Sequence, residues 1–167
     1  MIKINKNSVI AIGIDPGPIK SGWAIYDLDN EVVIASGHDD WKTIREMIIQ
    51  YATDGFYHLL AVCMEQIIMH GGVPPSKNIL QTSQHTGRIK QICATQSLIY
   101  NELPRIDICE LVSGIRPKRG TKVTKTDMQE AAQELLKAPK ILRPQHANDA
   151  LCAILAHYPP GYMIKKH

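Results

Sequence analysis

The stretch Val9-Ile10-Ala11-Ile12-Gly13-Ile14-Asp15-Pro16-Gly17 constrains this chain more than any other. An apolar, mostly β-branched run bounded by a Pro-Gly turn marks a strand covered on both faces, because a half-exposed strand alternates polar with apolar residues. A strand over 8–14 therefore belongs in the middle of a sheet, which points to the α/β class. Asp15 falls at its end. A carboxylate there is costly to desolvate without a partner, so it either hydrogen-bonds its own turn or serves a cation or a reaction.

Beyond that strand the chain reads as further elements. Residues 22–28 and the β-branched 32–34, separated by the turn signal Asp29-Asn30, are two more strands, so the chain opens as a three-stranded meander. Trp41, Ile44, Ile48 and Tyr51 recur at helical spacing over 41–52. Residues 59–65 (Leu-Leu-Ala-Val-Cys-Met-Glu) repeat the opening pattern, an apolar strand ending on a carboxylate, here Glu65. A Gly/Pro-rich loop over 70–76 follows. Next come a long helix over 78–100, a fifth strand over 105–112 and a loop over 114–125. Thr126 and Gln129 form a capping box for a helix running to Lys137. The last helix, over 146–158, stops at Pro159-Pro160-Gly161 and carries Leu151, Ile154, Leu155 and Tyr158 as one buried stripe. His146 and Asp149, three apart, share another face, and the small Ala150 and Ala153 beside them allow this helix to lie close against a sheet.

Length and composition narrow the class. At 167 residues the chain is expected to form one domain over 1–167. Its 44% hydrophobic and 21% charged residues are those of a globular protein, not a disordered or membrane chain. The start Met1-Ile2-Lys3-Ile4-Asn5-Lys6 lacks an apolar secretory core, so the expected location is the cytoplasm, that of the host if a virus encodes the chain. Cys63, Cys93, Cys109 and Cys152 form no CxxC pair and no zinc-like spacing, and read as reduced core residues. A net charge of +3 is too small to argue for nucleic acid by itself; the argument rests on where the cations fall.

The chemistry lies in the acids. Two like charges about 4 Å apart repel by roughly 4 kcal/mol at an effective dielectric near 20, so a converging Asp15, Glu65 and Asp149 call for protonation or a cation. Hard oxygen ligands select Mg²⁺ or Mn²⁺, and paired ions of this kind drive in-line hydrolysis of a phosphodiester. Taken singly, His146 is a polar residue near a helix start and Asp149 complements a helix dipole. Their shared face, with two strand-end acids, is what favours a site. Arg116, Lys118, Arg119, Lys122 and Lys125 lie in a loop kept irregular by Gly114, Pro117 and Gly120. They are either solvated or make phosphate contacts near the acids, and Arg88 and Lys90 on the long helix extend the track. With 5% aromatic residues, base stacking is a poor main binding mode, and recognition of shape and backbone fits better.

Element order and motifs together resemble a known family. Three strands, a helix, a strand ending in Glu, a long helix, a strand and a terminal helix bearing ligands resemble the RNase H-like fold, a five-stranded mixed sheet flanked by helices. Within it, Gly13-Ile14-Asp15-Pro16-Gly17, Glu65-Gln66, Gly87 and His146-Ala147-Asn148-Asp149-Ala150 resemble the RuvC family of Holliday-junction resolvases, of the RNase H-like and retroviral integrase superfamily, over about residues 8–158. The resemblance implies a Mg²⁺-dependent homodimeric endonuclease with two ions per site, Mn²⁺ substituting, that binds four-way DNA junctions and nicks two opposing strands. Asp15, Glu65 and Asp149 would be metal ligands, His146 a ligand or general base, and Lys125 the catalytic-loop lysine. Where the family places an aromatic wedge after the Glu, this chain has Gln66, Ile67, Ile68 and Met69, so an apolar wedge is the available substitute. A C2 dimer suits a two-fold junction, and Leu80, Ile89, Ile92 and Ile99 offer apolar surface, although their own sheet is the first claimant for most of them. Three other readings stand beside this one: a nucleotide-binding lobe of the actin/hexokinase type, a non-catalytic junction binder, and a branched-DNA nuclease less strict for junctions.

Overall fold

The computed structural model describes residues 6–68, 74–117, 122–136 and 145–162. Its elements are β1 (Val9–Asp15), β2 (Lys20–Asp27), β3 (Val32–Asp40), α1 (Trp41–Thr53), β4 (His58–Glu65), α2 (Lys77–Thr95), β5 (Ile99–Leu103), α3 (Arg105–Ser113), α4 (Lys125–Leu136) and α5 (Gln145–His157). The strands form one sheet in the order β3-β2-β1-β4-β5. The opening meander is antiparallel, whereas β4 and β5 join β1 in parallel. The sheet is therefore mixed, with helices on both faces.

The central strand sorts its side chains by size. Ile10, Ile12 and Ile14 face α1 and α2, where they pack with Ile44, Ile48, Met64 and Ile89. Val9 and Ala11 face the opposite way, toward α5, together with Ala24, Ala61 and Cys63. Large residues fill one layer; small ones on the other side let α5 come close, as Ala150 and Ala153 anticipate. A Cβ added at Gly13 would overlap the Ala150 carbonyl, and one at Gly22 the His146 carbonyl, so α5 lies almost on the backbone of β1 and β2. Leu151, Ile154, Leu155 and Tyr158 form the expected buried stripe. All four cysteines are free and buried. Among the described residues no helix is long and apolar enough to cross a membrane.

The structure corrects several boundaries. Residues 105–112 are not a strand but the helix α3, whose Ile108, Cys109 and Val112 turn one face to the core and which ends at Gly114 in the left-handed region (φ 71°). The fifth strand is Ile99–Leu103, whose first two residues the sequence assigns to the end of the long helix. α2 stops at Thr95, Ser97 adopts φ 56°, and the chain turns to pair with β4. β3 runs to Asp40 because β2 pairs with it as far as Lys20, despite the weak strand formers Ser36 to Asp40. The reciprocal cap of α4 uses Thr124 and Asp127 rather than Thr126 and Gln129: the Thr124 N–H donates to Asp127 (2.6 Å) and the Asp127 N–H to the Thr124 hydroxyl (3.2 Å). Ile99 consequently lies on β5, half exposed, Ile89 is fully buried and Leu80 is exposed. Most of the loop over 70–76, Met69 and Lys137 lie outside the described residues.

Candidate active site

β1 and β4 are adjacent and parallel, with Ile14 opposite Met64, so Asp15 and Glu65 emerge side by side at the carboxyl edge of the sheet. That edge is where α/β sheets open a crevice. The turn after Asp15 is held from two sides: the Gly17 N–H donates to the Ser21 hydroxyl (3.0 Å), and the Trp41 indole N–H donates to the Gly17 carbonyl (2.7 Å). The first turn of α5 crosses above and delivers His146 and Asp149. Asp15, Glu65, Asp149, His146 and Lys125 all line one cleft of about 600 Å³, with Lys20, His38 and Arg105. The three acids and the histidine thus line one cleft.

Asp15, His146 and Asp149 each bring one ligand atom within 4.8 Å of the others, a group that could hold a metal ion. Two carboxylate oxygens and an imidazole nitrogen suit a divalent cation. Glu65 lies outside this trio and is engaged by Arg105 instead. His146 Nδ1 lies 2.7 Å from an Asp15 carboxylate oxygen; a proton on Nδ1 makes the ring the donor of this bond and turns Nε2 away from Asp15. His38 stacks on the His146 ring, with centroids 4.9 Å apart and planes 16° from parallel. Burial pushes the Asp15 carboxyl above its ordinary range, against the opposing pull of the His146 bond, and the Asp149 charge adds to the rise. Glu65 is likewise pushed up by burial, with Arg105 opposing.

The acid cluster carries its own cations. Arg105 bridges Glu65 (3.0 Å) and Asp149 (3.3 Å), and Lys125 stands 3.5 Å from the other Asp149 oxygen. Arg105 and Lys125 thus supply, from within the chain, cations of the kind that three neighbouring acids call for. Arg105 escapes sequence reasoning because it falls inside the misassigned strand. Once β5 is placed, the signal is plain: Leu103 pairs with Glu65, and Arg105 follows two residues later across Pro104.

The expected phosphate track divides. Arg88 and Lys122 are exposed. Lys90 lies over the Tyr100 ring, 5.5 Å from its centroid. Arg116 is taken up by α3, at 2.5 Å from Glu110 and 3.9 Å from Asp107. Lys118 and Arg119 lie outside the described residues. Ile68 is half exposed, on the walls of two further cavities that flank the cleft.

Strand order, the acids at the ends of β1 and β4 and the close-packed α5 define an RNase H-like α/β fold. No protein-family model and no curated protein sequence matches the chain. Its particular form is RuvC-like: the structure of Thermus thermophilus RuvC superposes with a TM-score of 0.68 over 89% of this chain and 92% of that one, at 13% identity. T. thermophilus RuvC in complex with Holliday junction substrate superposes with a TM-score of 0.67 over the same shares, at 12% identity.

Proposed function

We propose that this chain is a structure-selective DNA endonuclease that resolves four-way junctions and related branched DNA, acting as one domain and as a homodimer that nicks paired strands symmetrically. The observation that carries this reading is the meeting of Asp15, His146 and Asp149 within 4.8 Å, beside Glu65, at the open edge of a RuvC-like sheet. Asp15, Asp149 and His146, with Glu65, would hold two Mg²⁺ ions, for which Mn²⁺ substitutes. When bound, these supply a lowered pKa for the attacking water and neutralise charge on the leaving oxygen. Lys20 and Lys125 draw the phosphate backbone into the cleft. His146, aimed by Asp15 and His38, presents Nε2 either as a ligand or as acceptor of the water proton, one role at a time. Lys125, which lines the same cleft, would donate a proton to the departing oxygen as the attacking water's P–O bond forms and the scissile one breaks. Arg88 and Lys122 are exposed to meet phosphates further out, with Lys118 and Arg119 expected alongside. Shape and backbone contacts supply the selectivity.

The test is incubation of a labelled synthetic four-way junction, a fork and a linear duplex with Mg²⁺ and with EDTA. The reading requires Mg²⁺-dependent paired nicks in the junction, lost in Asp149→Asn while junction binding persists. Cleavage of all three alike would make it a general nuclease. The specific rival is a non-catalytic junction binder, favoured by the internal neutralisation of the acids by Arg105 and Lys125. Tight binding with no cleavage in Mg²⁺ or Mn²⁺ would select it.

A further inference from the structure

Arg105 occupies the position where the acids most need a cation. Its two terminal nitrogens reach different carboxylates, Glu65 at 3.0 Å and Asp149 at 3.3 Å, while Lys125 approaches the remaining Asp149 oxygen at 3.5 Å. The Asp149 side chain is only 4% exposed, so both its oxygens are committed to cations before any ion arrives. A guanidinium stays charged under all ordinary conditions, and a fork-shaped donor between two carboxylates is a strong, directional pairing. A divalent ion ligated by Asp149 would therefore meet a like charge already bonded to that residue. Arg105 also lines a neighbouring cavity with Ile106, Cys109 and Lys122, into which a displaced side chain can turn.

We propose that Arg105 is a resident counter-ion of the acid cluster, which a divalent ion must displace from Asp149 and Glu65 on binding. Metal loading then turns the guanidinium out of the acid cluster toward that neighbouring cavity, and the metal-free protein keeps its acids together without an ion. The inference rests on the reading that Asp15, His146 and Asp149 hold a divalent ion, and it adds a competitor for that site.

The experiment is calorimetric titration of the full chain with Mn²⁺, in parent, Arg105→Gln, Arg105→Lys and Asp149→Asn, with melting temperatures recorded without metal. Removing the competitor should tighten Mn²⁺ binding by about tenfold or more, the equivalent of one charge-assisted hydrogen bond, in Arg105→Gln. The same change should lower the metal-free melting temperature, because two carboxylates lose their partner. Arg105→Lys, which keeps a charge but not the fork, should fall between. Unchanged or weaker Mn²⁺ binding in both Arg105 variants, with the parent binding and Asp149→Asn not, would overturn the competitor role alone. Absence of Mn²⁺ binding in the parent, or binding untouched by Asp149→Asn, would overturn the metal reading and this inference with it.

Discussion

Gly22→Ala tests whether the close approach of α5 to the sheet is what builds the site. A methyl carbon at Gly22 would lie 2.6 Å from the His146 Cβ and overlap the His146 carbonyl. Ordinary carbon–carbon contacts sit near 3.5–4.0 Å, so the first turn of α5 must retreat by roughly 1 Å. The obstacle is helix backbone, which cannot swing aside as a flexible side chain does. Overpacking of this kind costs about 1–3 kcal/mol of stability. The larger effect is functional. The retreating turn carries His146 and Asp149 while Asp15 stays with β1, and a misplacement of about 1 Å can cost on the order of a hundredfold in rate. The assay is junction cleavage in Mg²⁺ alongside thermal unfolding. The expected result is a folded protein with a lowered melting temperature and cleavage reduced far beyond what lost stability explains. The control is Gly87→Ala on α2, where an added Cβ meets nothing within 4 Å and helix propensity favours alanine by up to about 1 kcal/mol. Parental stability and cleavage in Gly22→Ala would refute the packing of α5 on β2 and the site geometry derived from it.

Other expectations follow from charge. The Asp15 pKa is raised above 3.8, so the native state binds that proton more tightly than the unfolded chain, and the Asp15 contribution to stability falls as pH climbs from about 3.8 through the folded value. Asp15→Asn should therefore melt above the parent near neutral pH without metal, with the gap closing in acid. A variant melting below the parent at neutral pH contradicts the burial penalty. Arg116 is already paired with Glu110, so Arg116→Gln should leave the salt dependence of junction binding nearly unchanged. Lys122→Gln should flatten its log–log slope by about 0.9, one phosphate contact. Equal slopes for the two variants would mean that the DNA does not distinguish them.

The sequence alone marks β1, β4 and α5 and the acids they carry, because those signals are local. A doubly covered strand is apolar throughout, a terminal carboxylate stands out against it, and spacing of three puts His146 and Asp149 on one helix face. Boundaries decided by partners are another matter. Residues 105–112 are apolar enough for either a strand or a helix, and the choice falls to helix because Ile99–Leu103 takes the sheet edge beside β4. Ser36 to Asp40 are poor strand formers that extend β3 only because β2 offers hydrogen bonds. Electrostatic partnership is equally invisible along the chain: Arg116 is spent on its neighbouring helix, Arg105 stands among the acids, and His146 meets Asp15 across 131 residues. Periodicity records what each segment needs to bury and so survives in one dimension. Which cation neutralises which acid depends on distances of a few ångströms between remote residues, and only the folded chain sets those.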